Sequence, residues 1–309
     1  MAHSMPEQAS QVNSMDKGIP QHPDSLTQAI EELEQQLRHL RDDETDLLTL
    51  AAGGAPTAQA PRVLPFHRRS ERPMGEGAGN AVLLDYLYGI DSTLRSLLPD
   101  GPTEELFRYA SSAPASRALR SRRQLLAREI DRCCDLLNGQ ARILCVGCGH
   151  LREVELARAL RHERFLQFTA LDAQPQCLQT VEASYAALGI QTQPCTLDEL
   201  FYGRQDLRHF DLIYSPGLYE VLDDQDARDL TRNLFARLLP GGRLLMGNFL
   251  PDVPDIAYLE GLLDWHPHYR SDACLLDLLL GIPYNDIGSA RVFHDPGNCV
   301  AFLEVTRYG

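Results

Sequence analysis

Residues 142–160 read RILCVGCGHLREVELARAL, and this stretch decides the fold. The apolar run Ile143–Val146 predicts a buried strand, and the turn Gly147-Cys148-Gly149 follows it directly. We expect a helix to begin near Leu151, so that its first N–H groups and the glycine backbone can approach a ligand closely. The stretch therefore predicts a strand, a glycine turn and a helix at the ligand-binding edge of an α/β sheet.

Short apolar runs recur along the rest of the chain, separated by segments long enough for helices. Strands that alternate with helices form βαβ units, which build a mostly parallel sheet with helices on both faces. The last two runs are separated only by Pro-Gly-Asn, which is the spacing of an antiparallel hairpin. We therefore predict an α/β fold with a doubly wound, mostly parallel, Rossmann-like sheet that ends in an antiparallel strand pair. The predicted strands are RILCVG (142–147), FLQFTALD (165–172), IQTQPC (190–195), DLIYS (211–215), RLLMGNF (243–249), ARVFHD (290–295) and CVAFLEVTR (299–307).

The chain divides by composition into three parts. Residues 1–23 are polar and predict a disordered tail, residues 24–136 predict a helical N-terminal cap region, and residues 137–309 contain the strands. Within the cap region, apolar residues at helical spacing form a seam over residues 26–40, and a linker composition follows at 51–61. The seam predicts either packing within the chain or a homodimer contact through the N-terminal helices, and the sequence leaves both open.

The chain is acidic, because 29 lysines and arginines stand against 43 aspartates and glutamates, a formal net charge of -14. Such a chain has no broad attraction for phosphate backbones or anionic lipid, so we expect neither nucleic acid nor a membrane as a partner. Lys17 is the one lysine and lies in the polar tail, which excludes Schiff-base chemistry and Walker-type phosphate binding. Because the sequence has no apolar run of membrane or signal-peptide length, we expect a cytoplasmic protein.

A helical pattern over residues 116–139 carries six arginines along its faces. In an acidic chain such a helix is either an anion-binding site or a solvated face whose arginines pair with acids such as Glu129 and Asp131. The sequence leaves both interpretations open.

Cys145 and Cys148 form a CxxC pair, a spacing that is found in redox pairs and in half of many zinc sites. The other six cysteines are scattered, and no second CxxC or histidine pair supplies the remaining ligands. We therefore predict two buried small residues and no metal site.

An acidic residue ends the second predicted strand. Asp172 lies 23 residues beyond Gly149, where an acid can accept hydrogen bonds from both hydroxyls of a ribose. A dinucleotide-binding turn has its third glycine at position 152, but this chain has Arg152, whose bulk prevents the close helix–strand approach. These residues favour a ribose-containing ligand without a pyrophosphate, such as S-adenosylmethionine. A nicotinamide-dependent oxidoreductase is the alternative with the same fold.

Two further turns fall where one known fold requires them. The fourth predicted strand ends in Ser215-Pro216-Gly217, and Pro240-Gly241-Gly242 precedes the fifth. Together with the glycine turn and the acidic strand end, this order resembles class I S-adenosylmethionine-dependent methyltransferases over about the last 170 residues. The resemblance implies S-adenosylmethionine as the cofactor. The cofactor-binding residues that it implies are Gly147, Cys148 and Gly149 at the methionyl part, Asp172 and Ala173 at the ribose, Thr196 and Leu197 at the adenine, and Ser215 and Gly217 at the methyl-transfer cleft.

A narrower resemblance covers most of residues 116–270. The stretches SRRQLLAREI, CGHLREVEL, YSPGLYEVL and GNFLPDVPDIAYLEGLLDWHPHYR are similar to bacterial methyltransferases of the 3-hydroxypalmitic acid methyl ester type, which make a quorum-sensing ester. This resemblance implies a small, carboxylate-bearing methyl acceptor in bacterial secondary or signalling metabolism. The methylated atom is then either a carboxyl oxygen of a hydroxy acid or the sulfur of a methionine-like thioether.

The segment after the fifth strand, where this fold places acceptor-binding elements, contains aromatic and cationic side chains. Arg270 can hold a carboxylate with two parallel hydrogen bonds, or it can pair with Asp264 or Asp272. Trp265 and Tyr269 can face the sulfonium, or Trp265 can fill the cap. The predicted substrate-binding residues are Asn248, Trp265, Tyr269 and Arg270, with Tyr86 and Tyr88 of the cap region closing the pocket.

Glu220 and Tyr219 are the predicted catalytic residues, because they follow the strand that ends at the cleft. A sulfonium methyl is transferred in line, so the protein mainly aligns the reactants and excludes water. A carboxylate or thioether acceptor needs no general base; Glu220 is the candidate base for an acceptor that does. A non-catalytic protein that senses a ligand or binds a partner through the 26–40 seam is a third hypothesis.

Overall fold

The computed structural model describes the whole predicted sheet, the long helix that precedes it and one short helix of the cap region. The predicted tail of residues 1–23, the seam over residues 26–40 and the linker at 51–61 lie outside the described residues. The described residues are 79–90, 109, 111–202, 207, 209–261 and 265–309.

Within this part of the chain, seven strands form one sheet. The strands are β1 (Arg142–Val146), β2 (Gln167–Asp172), β3 (Ile190–Pro194), β4 (Phe210–Ser215), β5 (Leu238–Phe249), β6 (Ile287–His294) and β7 (Val300–Arg307). Their order across the sheet is β3-β2-β1-β4-β5-β7-β6. The strands from β3 to β5 are parallel, and β7 is antiparallel to both of its neighbours. The predicted doubly wound, mostly parallel α/β sheet with a C-terminal antiparallel pair is confirmed.

Helices cover both faces of this sheet. In β1, alternate side chains point to opposite faces: Ile143 and Cys145 belong to the core under α2, while Leu144 and Val146 belong to the core under α6. No helix in the described ranges combines the length and the apolarity that crossing a membrane requires. The α-helices of this part of the chain are α1 (Gly79–Tyr88), α2 (Pro114–Leu136), α3 (Arg158–Arg161), α4 (Pro175–Tyr185), α5 (Leu197–Tyr202), α6 (Asp224–Phe235), α7 (Ile256–Gly261) and α8 (Asp272–Asp277).

The segment after the glycine turn differs from the helix that we expected near Leu151. Leu151 has a left-handed backbone with a φ of 53°, and Arg152–Glu155 forms a single 3-10 turn before α3 begins at Arg158. A residue with positive φ cannot belong to a right-handed helix, so the regular structure is interrupted here. The turn therefore lacks the long helix N-terminus, and the row of free N–H groups, that the sequence pattern predicted.

β5 begins earlier than predicted, because Pro240-Gly241-Gly242 lies within the strand rather than before it. The register with β4 pairs Phe210 with Leu238 and then Leu212 with Arg243, so the three residues belong to a bulge. A Cβ at Gly242 would lie 2.8 Å from the carbonyl oxygen of Phe210. Glycine is required at this position because the neighbouring backbone leaves no room for a side chain.

The two cysteines of the CxxC pair are buried and are not joined to each other. Cys145 lies in β1, and Cys148 lies in the turn that follows it. Burial raises the pKa of both thiols well above the ordinary value, which keeps them protonated and unreactive. The prediction that both are buried small residues is confirmed.

Candidate active site

Three strand ends meet where the winding of the sheet reverses. β1 lies between β2 and β4, so the chain proceeds in opposite directions on its two sides. In open α/β sheets, the crevice beside the carboxyl ends of the strands at such a point binds the ligand. Gly147 directly follows β1, Asp172 ends β2 and Ser215 ends β4. The fold therefore brings together the glycine turn, the acid and the cleft residue that the sequence singled out.

The glycine turn is held against the end of β2 and against the segment after β4. The N–H groups of Gly147 and Cys148 both donate to the carbonyl oxygen of Leu171, at 2.9 and 3.0 Å. Gly147 has a φ of 68°, and a Cβ there would lie 2.9 Å from the Cβ of Leu218. A side chain at this position would be strained by its backbone and would collide with its neighbour. Only glycine allows this close approach, which forms one wall of the crevice.

Asp172 is fixed by backbone donors and keeps capacity for a ligand. Its Oδ2 accepts a hydrogen bond from the N–H of Gly149 at 2.8 Å, and its Oδ1 accepts one from the N–H of Gln174 at 2.9 Å. Burial raises the pKa of Asp172, although both N–H groups act in the opposite direction. Each carboxylate oxygen can accept a further hydrogen bond, because it has a second lone pair. The half-buried carboxylate therefore fits the two hydroxyls of a ribose.

The segment predicted for the adenine lies next to this acid. The N–H of Cys195 donates to the carbonyl oxygen of Asp172 at 3.0 Å, which places the following residues beside the ribose position. Thr196 caps α5: its hydroxyl accepts a hydrogen bond from the N–H of Glu199, whose carboxylate accepts one from the N–H of Thr196. Ala173 is exposed and Leu197 half-buried, so the crevice is open at this end.

α1 lies directly over the glycine turn. A Cβ at Gly149 would lie 3.6 Å from the Cβ of Ala81. Asp85 accepts hydrogen bonds from the Nε and Nη2 of Arg152, at 2.8 and 2.7 Å, and the Nδ1 of His150 lies 2.8 Å from the same carboxylate. Burial favours the neutral form of Asp85, but Arg152 and His150 outweigh it and lower its pKa. The sequence did not reveal this contact; its one signal was an arginine where a third glycine was expected.

A buried ion pair lies beside the end of β4. The Nη1 of Arg122, from α2, donates to the Oε1 of Glu220 at 2.8 Å, and the two side chains are 1% and 3% exposed. A Cβ at Gly217 would lie 3.1 Å from the Oε2 of Glu220, so the pair packs against the segment that follows the strand. Burial raises the pKa of Glu220 to about 7, although Arg122 lowers it. The fold thus brings Glu220 to the cleft, with a partner that the sequence did not predict.

Tyr219, the second predicted catalytic residue, points away from this ion pair. Its side chain is buried in the core under α6, and its hydroxyl lies 3.1 Å from the Oγ1 of Thr231. This geometry assigns Tyr219 a packing role rather than a place in the cleft. Tyr88, at the end of α1, is half-buried and interacts electrostatically with Arg122. The side chain of Tyr86 lies outside the described residues.

Arg270 holds the segments around the cleft and has no donor left for a substrate carboxylate. Its Nη1 donates to the carbonyl oxygen of Tyr219 at 2.6 Å and to the Oδ1 of Asn248 at 3.0 Å. Its Nη2 donates to the carbonyl oxygen of Leu222 at 2.6 Å, and its Nε and Nη2 both lie 3.1 Å from the Oδ1 of Asp224. The expected carboxylate-binding role is therefore corrected, and the acid that pairs with Arg270 is Asp224.

Asn248 and Trp265 also stabilise the segment after β5. The Nδ2 of Asn248 donates to the carbonyl oxygens of Phe249 and His268, at 2.9 and 2.8 Å, so its amide is used within the protein. The ring of Trp265 is buried and packs edge-to-face on Phe249, with 5.5 Å between the ring centroids. Tyr269 is half-buried against the same core. This arrangement favours the alternative that Trp265 fills the cap, rather than facing the sulfonium.

A comparison with protein families found a match to the part of the chain that contains this site. Residues 144–244, which run from β1 into β5, match a family described as a methyltransferase domain. Over this third of the chain, the sequence resembles a methyltransferase domain. The matched range contains the glycine turn, Asp172 and the segment with Glu220, and S-adenosylmethionine is the cofactor of this domain. The strained glycine turn and the doubly anchored acid fit its methionyl and ribose parts.

A solved structure shares this fold over most of the chain, and two methyltransferases match it more loosely. A possible exported protein from Bordetella parapertussis matches with 17% identity and a TM-score of 0.62, over 91% of this chain and 96% of that chain. The S-adenosylmethionine-dependent methyltransferase SibL in its apo form matches with 19% identity and a TM-score of 0.48, over 92% and 97%. Mitomycin 7-O-methyltransferase MmcR matches with 18% identity and a TM-score of 0.47, over 85% and 74%. No curated protein matches the chain.

Proposed function

We propose that this protein transfers the methyl group of S-adenosylmethionine to a small metabolite that carries a carboxylate. The observation that supports it best is Asp172, which ends β2 at the winding reversal and is held there by the N–H groups of Gly149 and Gln174. Such a carboxylate binds ribose hydroxyls, and the methyltransferase match covers the strand that carries it. Bacterial secondary or signalling metabolism is the setting that the resemblance to ester-forming methyltransferases implies.

The protein's own contribution to transfer is binding, alignment and the exclusion of water. When bound, S-adenosylmethionine supplies an electrophilic methyl group on a sulfonium. Asp172 would hold the ribose, the backbone of the glycine turn would contact the methionyl part, and α1 would cover this end of the crevice. Alignment of two bound reactants lowers the entropic part of the barrier, and a closed crevice prevents attack by water.

Two acceptors suit this chemistry, because each has a lone pair available at neutral pH. In a hydroxy acid the carboxylate oxygen itself is methylated, and the product is an ester. In a methionine-like thioether the sulfur is methylated, and the carboxylate only anchors the substrate. The resemblance to the 3-hydroxypalmitic acid methyl ester type favours the first.

Incubation with radiolabelled S-adenosylmethionine tests the proposal. A 3-hydroxy fatty acid and methionine are offered separately; an alkali-labile labelled product identifies an ester, and a permanently charged one identifies a sulfonium. Isothermal titration calorimetry with S-adenosylhomocysteine and with NAD is the parallel binding test. Heat from NAD alone would overturn the methyltransferase proposal in favour of an oxidoreductase.

Two expectations about the protein's surroundings also remain proposals. The homodimer contact is assigned to the seam over residues 26–40, which lies outside the described residues, and the location is taken as cytoplasmic. Light scattering on the full chain and on a chain without residues 1–50 tests the dimer. If turnover and the number of chains per particle are unchanged by the deletion, neither a dimer contact nor a working surface on the seam is supported. Cell fractionation tests the location.

A further inference from the structure

Arg122 differs from the other arginines of α2 because its side chain is buried beside the cleft. A Cβ at Gly217 would lie 3.2 Å from its Nη1, and a Cβ at Gly247 would lie 3.2 Å from its Cδ. Gly217 follows β4 and Gly247 lies near the end of β5, so the guanidinium lies where two parallel strands end. In this class of sheet, ligands bind at that edge.

The guanidinium has hydrogen-bonding capacity that the protein does not use. Nη1 donates to Glu220, and Tyr88 forms a hydrogen bond and an electrostatic contact with the guanidinium. Nε, however, is buried without a hydrogen-bond partner in the described part of the chain. The hydroxyl of Ser215, at the end of β4, is likewise buried and without such a partner. Buried polar atoms are normally paired, so two unpaired ones at one strand end indicate a ligand that pairs with them.

The charge beside Arg122 is incompletely balanced near neutral pH. Burial raises the pKa of Glu220 to about 7, so this carboxylate is partly protonated there and only partly neutralises the guanidinium. The other groups that face the pair are Tyr88 from α1, Glu153 from the 3-10 turn and Arg270 from the segment after β5. Burial also raises the pKa of Glu153, which favours its neutral form. The pair can therefore accept a second, entering carboxylate.

We propose that Arg122 binds the carboxylate of the methyl acceptor and that Glu220 takes up a proton when this carboxylate enters. The inference rests on the proposed function, and it assigns to Arg122 the role that the sequence suggested for Arg270. The incoming charge repels the charge of Glu220, so the acceptor replaces Glu220 as the principal counter-ion of Arg122. In ester formation the bound carboxylate is also the nucleophile, whereas in thioether methylation it fixes the orientation of the sulfur.

Calorimetric titrations of the full chain, saturated with S-adenosylhomocysteine, test the proposal. The probes are 3-hydroxyoctanoate and methionine, each compared with its methyl ester, which lacks the charge. We expect the better carboxylate probe to bind wild type and to lose about tenfold or more in affinity in Arg122→Gln, while ester binding changes by less than about twofold. At about pH 8, titrations in buffers of different ionisation enthalpy should show proton uptake in wild type.

Two further variants keep the test decisive if Arg122→Gln folds poorly. Glu220→Gln keeps the guanidinium and removes its resident acid, so it should bind the carboxylate at least as tightly as wild type and without proton uptake. Arg243→Gln is the control: Arg243 is half-buried and, like Arg122, pairs with glutamates, here Glu129 and Glu304, but it lies in the middle of β5 rather than at a strand end. This control should leave carboxylate affinity unchanged.

Each of three outcomes would overturn the inference. The first is that no carboxylate binds wild type more tightly than its ester; the second is that Arg122→Gln and Arg243→Gln behave alike. The third is that Arg122→Gln weakens S-adenosylhomocysteine but not 5'-methylthioadenosine, which would assign the arginine to the cofactor's own carboxylate. Failure of S-adenosylhomocysteine to bind wild type would instead overturn the proposed function, so the two failures are distinguishable.

Discussion

The carboxylate of Asp85 and the guanidinium of Arg152 form a two-bond fork, with distances of 2.8 and 2.7 Å, that ties α1 to the segment after the glycine turn. His150 contacts the same carboxylate at 2.8 Å. In sequence, Arg152 counted against a dinucleotide because it stands at the position of a third glycine. In the structure, the same residue anchors the helix that lies over the glycine turn.

Arg152→Ala should therefore weaken both the fold and cofactor binding. Two charge-assisted hydrogen bonds in a half-buried setting contribute about 1–3 kcal/mol to the free energy of unfolding, measurable by urea denaturation. Cofactor affinity should fall as well, because α1 is released from the turn. Arg158→Ala is the control: Arg158 pairs with Asp131, but its side chain is 70% exposed. The free energy of unfolding should fall by less than about 1 kcal/mol in this control. Equal losses in Arg152→Ala and Arg158→Ala would contradict the anchoring role of Arg152.

Gly147→Ala should destabilise the glycine turn through two separate effects. The φ of 68° is strained for alanine, and the new Cβ would lie 2.9 Å from the Cβ of Leu218. Gly89→Ala separates the effects, because Gly89 has a φ of 70° with no atom within 4 Å of the added Cβ. We expect the free energy of unfolding to fall by about 1 kcal/mol in Gly89→Ala and by about 1–3 kcal/mol more in Gly147→Ala. Thermal unfolding measures both; similar values would show that the turn can move aside.

Asp172→Ala should weaken S-adenosylhomocysteine binding by about 1–3 kcal/mol, because a charged acceptor for the ribose hydroxyls is lost. Calorimetry measures this change directly. Asp198→Ala is the control, since Asp198 is an exposed acid in the first turn of α5. Wild-type affinity in Asp172→Ala would show that this carboxylate does not bind the ribose.

The stability of the protein should depend on pH through Glu220. Burial raises the folded-state pKa from an ordinary 4.5 to about 7. Because the folded state binds this proton more tightly than the unfolded chain, the stabilisation is complete below about pH 4.5 and is lost as the pH rises through about 7. Relative to Glu220→Gln, the free energy of unfolding of wild type should fall by about 3 kcal/mol as the pH rises through this range.

Urea denaturation at a series of pH values measures this difference. Glu182→Gln is the control, since Glu182 lies on the exposed face of α4. That variant should follow wild type at every pH. If the free energy of unfolding depends on pH in the same way in Glu220→Gln and in wild type, Glu220 titrates as an ordinary acid. The proton uptake inferred above then loses its basis.

Arg270→Ala should act on the fold rather than on one substrate. Its guanidinium donates to the carbonyl oxygens of Tyr219 and Leu222 and to the amide oxygen of Asn248, all of which would lose this donor. We expect a loss of about 3 kcal/mol in the free energy of unfolding and comparable effects on the KM values of acceptor and cofactor. A stable variant with a raised KM for the acceptor alone would restore the carboxylate-binding role.

The sheet, and the candidate cofactor residues that lie at the ends of its strands, could be located from the sequence, because their signals lie within short windows. Apolar runs specify strands through local periodicity, and a glycine or an acid directly after a run lies at the strand end. Gly147, Asp172 and Ser215 were found in this way. The regular helix expected near Leu151 is a single 3-10 turn in the structure, because the left-handed backbone of Leu151 interrupts the locally helical pattern.

The amino-acid order by itself thus determined the strands, their parallel winding and the residues that end them. Only the tertiary structure decided which charged groups meet. Arg122 and Glu220 are 98 residues apart, and Arg152 and Asp85 are 67 apart. The number of arginines on α2 does not show which of them is buried, since burial depends on how the helix packs on the sheet. Packing also explains Arg270. Its guanidinium could bind a carboxylate, but in the structure it donates its hydrogen bonds to the surrounding residues.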